Sequence, residues 1–459
     1  MPSLITQIGR CFLVFQLFLV SCSCSKDEPK EEEPVITKPT LTDEELLDKA
    51  QKDALKYFWD YAETNSKLAR ERYHTDEPSL DANLVTTGGS AFGLMTILVG
   101  IERNFVNREE AVTRLTTALN FLDNAERFHG AWSHWINGTN GQVVPFGTKD
   151  NGGDIVETSF VCQALICIRE YFKNGTDAEK ALAAKADELW KGVDWNWYTR
   201  GENAMYWHWS PNYGWDMNFK LEGYNECLIT YIMGVSSPTH PVATEAYHEG
   251  WARSGGIVNP ASAYGYPIVL KYNGSAMVGP MFWAHYSYLG LDPRGLSDQY
   301  ADYWALTQNH AKIQHQYAVT NPLGWEGYGD NCWGLTASYT RNSNGSTGYT
   351  DHKPGNDRGV ITPTAAISSF PYTPAESMKA LRFFYEDWNE RLIGAAGPYD
   401  AFSPHHDWVT KRYLAIDQGT IAPMIENHRT GFLWNLFMQA PEVKAGLQNL
   451  GFSSAQHGF

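Results

Sequence analysis

From about residue 42 the apolar positions recur at helical spacing and keep doing so almost to the end of the chain. Thr42-Asp-Glu-Glu45 reads as a capping box, and Leu46, Leu47, Ala50, Ala54, Tyr57, Phe58 and Tyr61 then follow one face of a first amphipathic helix. Further helices are expected near 88–103, 108–128, 155–173, 177–192, 222–235, 241–253, 277–289, 297–316, 361–370, 374–390, 418–438 and 441–450. Sustained period-2 alternation is absent, and the one hairpin signal spans Tyr266–Val278 about an Asn273-Gly274 turn. About twelve helices in series pair into six hairpins. Connections such as Asn104–Asn107 and Asn174–Asp177 are short, whereas 129–154, 193–221 and 317–360 are long and rich in Gly, Asn, Trp and Tyr. Loops of that length inside a compact domain are usually functional. Six hairpins closed into a ring, with the long loops gathered at one end, describe an all-α (α/α)6 toroid with an aromatic cleft.

The residues before this pattern have another logic. Arg10 precedes the apolar run Cys11–Val20, which has the polarity order of a secretory signal and is too short for a comfortable membrane span. Leu19-Val20-Ser21-Cys22 resembles the lipobox of bacterial lipoproteins, where cleavage precedes a cysteine that is then lipidated. The charged, proline-interrupted stretch after Cys22 reads as a tether. The expected organisation is therefore a signal over 1–21, an acidic tether over 22–41 and one catalytic domain over 42–459. The expected product is an exported lipoprotein, periplasmic or on the outer-membrane or cell surface, touching the membrane through its lipid anchor only.

Charge narrows the partners. With 36 Lys+Arg against 52 Asp+Glu the formal net charge is −16, which opposes nucleic acid, anionic lipid and polyanionic sugar alike. Seventeen Trp, 25 Tyr and 21 Phe, 14% of the chain, suit a neutral ligand with flat apolar faces. Of seven cysteines, Cys162, Cys167, Cys227 and Cys332 lie in the body with no zinc-site spacing, so neither a disulfide framework nor a metal is expected. No nucleophile elbow, phosphate loop or His-Glu-x-x-His appears, which leaves carboxylate chemistry and no cofactor.

Three regions carry it. Asp150, Asp154 and Glu157 stand where a long loop enters a helix; Asp154 and Glu157 share a helix face, although the same spacing also makes an N-cap with its N3 acid. Glu226 follows a loop holding Trp207, Trp209 and Trp215, where desolvation would keep a carboxyl protonated and fit for general acid work, with Glu222 as competitor. The third region runs from Asp400 to Asp417, Glu426 and Arg429, with Asp417 also readable as a helix cap. Trp283-Ala-His285, Trp325, Asp330, Trp333 and His134 add polar-aromatic candidates for the cleft wall.

Thr86-Thr-Gly-Gly89, Gly100-Ile-Glu-Arg103, Gly223-Tyr-Asn-Glu226, Tyr399-Asp-Ala-Phe402, Ile416-Asp-Gln-Gly419 and Glu426-Asn427 with Arg429-Thr-Gly431 together resemble the glucoamylase-like family that includes bacterial β-1,2-glucanases of glycoside hydrolase family 144 and a domain of cyclic β-1,2-glucan synthases. The resemblance covers the body from residue 42. It implies an (α/α)6 barrel that hydrolyses β-1,2-glucan to sophorose or short sophoro-oligosaccharides without a metal. It also implies functional acids at Asp150, Asp154, Glu157, Glu226 and Asp417, with Asp400 competing for the last place. On this reading Glu226 is the acid, Asp417 the base, and the enzyme is a monomer acting with inversion on neutral β-glucan. The rivals are an exo-acting α-glucosidase and a non-catalytic glycan-binding surface lipoprotein.

Overall fold

Thr42 opens the first helix with the expected reciprocal cap: its N–H donates to Glu45 Oε2 at 2.9 Å and its Oγ1 accepts the Glu45 N–H at 3.3 Å. The computed structural model describes residues 41–459, which form one unit. The signal, Cys22 and all of the tether but Leu41 lie outside the described residues. The helices are α1 (Asp43–Asp60), α2 (Thr87–Glu102), α3 (Arg108–Asn124), α4 (Ile155–Phe172), α5 (Asp177–Lys191), α6 (Leu228–Ser236), α7 (Tyr303–Thr320), α8 (Pro363–Ile367), α9 (Pro374–Arg382), α10 (Asn389–Leu392), α11 (Ala415–Arg429), α12 (Phe432–Met438) and α13 (Pro441–Asn449).

Burial sorts them into two rings. α2 is buried from Thr87 to Ile101, and α4, α6, α8 and most of α11 are likewise buried all round, as a helix must be when it has neighbours on every side. α1, α3, α5 and α9 bury one stripe only. In chain order the outer helices α1, α3, α5, α7 and α9 each precede an inner one, α2, α4, α6, α8 and α11. The ring closes where α2 packs on α1, α4 and α11. Small residues permit the approach: a Cβ on Gly93 would strike the Phe58 ring, and one on Gly419 would strike Phe92.

The fourth hairpin departs from the expected helices. Its outer member is a π-helical turn, Ala246–Trp251, and its inner member is two 3-10 turns, Met281–Ala284 and Ser287–Leu289. Pro280 enters the first of these in an extended conformation (ψ 150°), and no regular helix develops before Gly290. The expected helix at 222–235 starts only at Leu228, because Gly223 is left-handed (φ 76°), and that at 418–438 breaks at Gly431 (φ 71°). The expected hairpin is also displaced. The strands are Val258–Ala263 and Tyr266–Leu270, joined at Tyr264 and Gly265, both with positive φ. A second hairpin, Ala337–Arg341 with Thr347–Asp351, lies inside the stretch read as loop and sets Tyr339 opposite Tyr349.

Candidate active site

The residues that open the inner helices meet at the loop-bearing end. Thr86, Glu157, Glu226, Phe282 and Ile416 come from five inner elements and line connected hollows. One lobe of 700 Å³ is edged by Lys220, Arg253, Trp283 and Lys353. The other, of 340 Å³, is edged by Glu71, His134, Trp135, Tyr286, Tyr339 and Tyr349. Trp207, Glu226, Phe282 and Ala337 belong to both walls, so Glu226 stands at the waist of a two-lobed cleft.

Glu226 is half-buried one residue before Cys227, the N-cap of α6, and its main-chain carbonyl is held by Ser287 Oγ at 2.7 Å. Burial, reinforced by the charge of Asp154, pushes its carboxyl up to about 7. Glu222 sits in an ion-pair environment instead, 3.4 Å from Arg253 and 4.0 Å from Lys220.

Asp154 both caps and is paired. Its Oδ1 accepts the N–H groups of Val156 and Glu157 at 3.0 and 2.9 Å, and its Oδ2 lies 3.1 Å from His134 Nδ1. The pairing of Gly153–Asp154 with His208–Trp209 ties the long aromatic loop to this helix start and brings His208 Nδ1 to 3.1 Å from Asp150. Burial opposes the charge of Asp154, but the two histidines and the cap outweigh it and hold the carboxyl below its ordinary range. Burial also opposes charge on His134, yet Glu157 and Asp154 carry that imidazole up to about 10. Glu157 accepts the Gly88 N–H at 2.5 Å, and its own burial raises it to about 8. His134, Asp150 and Asp154 place one potential ligand atom each within 4.8 Å of one another. Asp154 already accepts from Val156 and Glu157 and pairs with His134, so the trio reads as an acid cluster held by the helix cap and its neighbouring histidines.

Asp400 and Asp417 form a second acidic pair, both 3% exposed. Asp400 Oδ2 accepts the Tyr339 N–H at 2.8 Å. Burial and then the charge of Asp400 lift Asp417 well above the ordinary range, and burial lifts Asp400 to about 6, so the pair resists double ionisation. They lie behind the wall, and the charge of Asp417 is felt by Tyr286 and Tyr349, which line the smaller lobe.

Several expected wall residues lie elsewhere. Glu426 is clamped by Arg103 (2.6 and 3.0 Å) and Gln51 (3.0 Å), while Arg429 bonds Asp48, Gln51 and Glu44 at 2.5–2.7 Å. Glu426 is nine residues along α11 from Asp417, about 14 Å at the helical rise, so these residues stitch the far end of the ring. His285 is 1% exposed, bonds Ser369 Oγ at 3.1 Å, and is driven by burial down to about 3. Trp333 is wholly buried beside α9, and Asp330 is an exposed partner of Lys379 and His315. Trp325 packs on Gly359 and His405, and Trp209 on Phe128 and His129. Trp215 lines a separate hollow. Of the tryptophans singled out in the sequence, Trp207 and Trp283 line the cleft. Glu71, Tyr339 and Tyr349 were not anticipated there.

Residues 218–441 match the Glycoamylase family, described as "Putative glucoamylase". An exo β-1,2-glucooligosaccharide sophorohydrolase (non-reducing end) of Parabacteroides distasonis is 43% identical over 430 residues, which cover 89% of this chain and 58% of that curated relative. An endo-β-1,2-glucanase from Chitinophaga pinensis, solved with sophorotriose and glucose, is 52% identical with a TM-score of 0.88 over 90% of this chain and 99% of that one. A β-1,2-glucanase from Parabacteroides distasonis is 41% identical with a TM-score of 0.84, covering 90% and 61% of the two chains.

Proposed function

The chain belongs to the family of bacterial β-1,2-glucanases represented by the Chitinophaga pinensis enzyme, and from that premise we propose that it hydrolyses β-1,2-glucan to sophorose or short sophoro-oligosaccharides. The observation that carries this reading is Glu226: a carboxyl raised to about 7 at the waist between two aromatic-lined lobes, where a glycosidic oxygen would lie with sugar on either side. Glu226 protonates that oxygen. A water on the opposite face of the sugar attacks the anomeric carbon, the bond to the leaving sugar breaks, and the configuration inverts. Asp417, beside Asp400, takes the water's proton through an intervening hydroxyl, because the pair lies behind the wall. Glu157 and His134 hold sugar hydroxyls in the smaller lobe, and Asp154 behind them fixes the imidazole and the helix start.

Incubation with linear β-1,2-glucan and, separately, starch tests the proposal. Sophoro-oligosaccharides from the first and nothing from the second are expected; glucose from starch would make it an α-glucosidase, and binding of glucan without turnover would make it a glycan-binding protein. The Leu19–Cys22 signal further supports an exported lipoprotein anchored through Cys22.

A further inference from the structure

Asp194 caps a five-residue 3-10 turn, Trp195–Thr199, by accepting the Trp197 N–H at 3.2 Å. The turn sends Trp195 and Tyr198 into the core, where Tyr198 Oη donates to the Phe128 carbonyl at 2.8 Å, and sends Trp197 outward, leaving it 38% exposed. Arg200 and Gly201, both left-handed, then turn the chain away, and a side chain at Gly201 would meet open space. One face of Trp197 is fixed by the His129 ring, stacked at 3.7 Å and 13°. Trp215 stands 6.4 Å from it at 35°, and the two indoles flank a 420 Å³ hollow whose polar lining is Asn196 and Arg200. An immobilised, solvent-facing indole beside an amide and a guanidinium is a poor core and a good platform for a pyranose, whose C–H face stacks while its hydroxyls bond the rim.

This hollow is separate from the cleft but tied to its wall by one hydrogen bond. Arg200 donates to Asn218 Oδ1 at 2.7 Å, and Asn218 and its neighbour Phe219 line the larger lobe, so one loop carries a sugar-facing surface on each side. We propose that the Trp197–Trp215 hollow is a second carbohydrate site that takes a glucose ring of a long β-1,2-glucan chain outside the cleft; this rests on the β-1,2-glucanase reading. A chain long enough to reach it gains a contact that a short oligosaccharide lacks.

The test compares substrate lengths in Trp197→Ala. The KM for long β-1,2-glucan should rise about five- to tenfold, the loss of one aromatic platform. kcat on the polymer and kcat/KM on short sophoro-oligosaccharides should stay within about twofold. Trp197→Phe, which keeps a ring on His129, should recover most of the polymer affinity. An unchanged polymer KM, or equal losses on both lengths, overturns the proposal. Retardation in a gel containing β-1,2-glucan separates it from the catalytic reading: Glu226→Gln should be retarded and Glu226→Gln with Trp197→Ala less so. That difference supports the site even if the wild type cleaves no β-1,2-glucan, and equal mobility overturns it.

Discussion

The Gly88 N–H donates to Glu157 at 2.5 Å, so the first turn of α2 holds the acid that stands in the first turn of α4. Gly88 lies within a helix and needs no unusual backbone; it is glycine because a Cβ there would collide with Glu157 Oε2. Gly88→Ala should therefore displace that carboxyl while leaving the helix intact. The expected result is a loss of about 1–3 kcal/mol of stability. A misplaced acid should also lower kcat at least about tenfold. Chemical denaturation and steady-state kinetics on the same preparation check both; normal kcat would remove Glu157 from the chemistry.

Glu226→Gln keeps shape and hydrogen bonding but removes the transferable proton, so kcat should fall by about 10²–10⁴. The pH profile gives the sign. A general acid works while protonated, so wild-type kcat should decline as pH rises through about 7, and that limb should vanish in the variant. Stability moves in the same window. The folded carboxyl is raised above its unfolded value of about 4.3, so the fold loses stability as pH climbs from there through the folded value. The glutamine variant is spared this loss, and its melting temperature should overtake the wild type's between pH 5 and about 8. Parallel melting curves across that range would mean that Glu226 titrates normally.

Asp417→Asn tests the base side. The amide carries no charge and can donate to Asp400, which removes like-charge repulsion, so the melting temperature above pH 6 should hold or rise. Loss of the base should cost about 10²–10⁴ in kcat. Near-normal turnover, with inactivity of Glu157→Gln instead, would move the base to the cavity-facing acid.

Inversion of a β-linkage releases an α-anomer at the new reducing end. Proton NMR in the first minutes of hydrolysis, before mutarotation, should show it. An initial β-anomer would require a carboxylate pair about 5–5.5 Å apart, and the search would turn to Asp150, Asp154 and Glu157.

Cys22→Ala should abolish lipidation, seen as loss of partitioning into a detergent phase. Unchanged partitioning would place the anchor on Cys24 or elsewhere.

What the sequence made legible depended on how local the signal was. Asp154 and Glu157 were visible because a cap and its N3 acid sit within four residues of an apolar helix, and Glu226 because aromatic loop residues precede it in the chain. Glu426 and Arg429 were misplaced for the same reason: nearness in sequence to Asp417 was taken for nearness in space, whereas a helix carries them about 14 and 18 Å away. His285 and Trp333 show that polar-aromatic alternation does not separate a cleft wall from a buried shell. Glu71 flanks the three-residue strand Arg72–His74, which pairs with Arg412–Leu414, a contact across more than three hundred residues that no local pattern announces. Tyr339 and Tyr349 come from strands of five residues whose mixed polarity hid them in a loop.

The seam between α2 and α11 has a temporal meaning for the cell. A Cβ on Gly89 would press on Ala415 and Ile416, so the first inner helix finds its closest neighbour almost at the end of the chain. A ribosome delivers Glu157 and Glu226 long before it delivers Asp417, and the partial chain it holds has an open edge where a wall should be. On the proposed chemistry, turnover would report a finished circle, because the acid and base meet only once α11 has closed on α2.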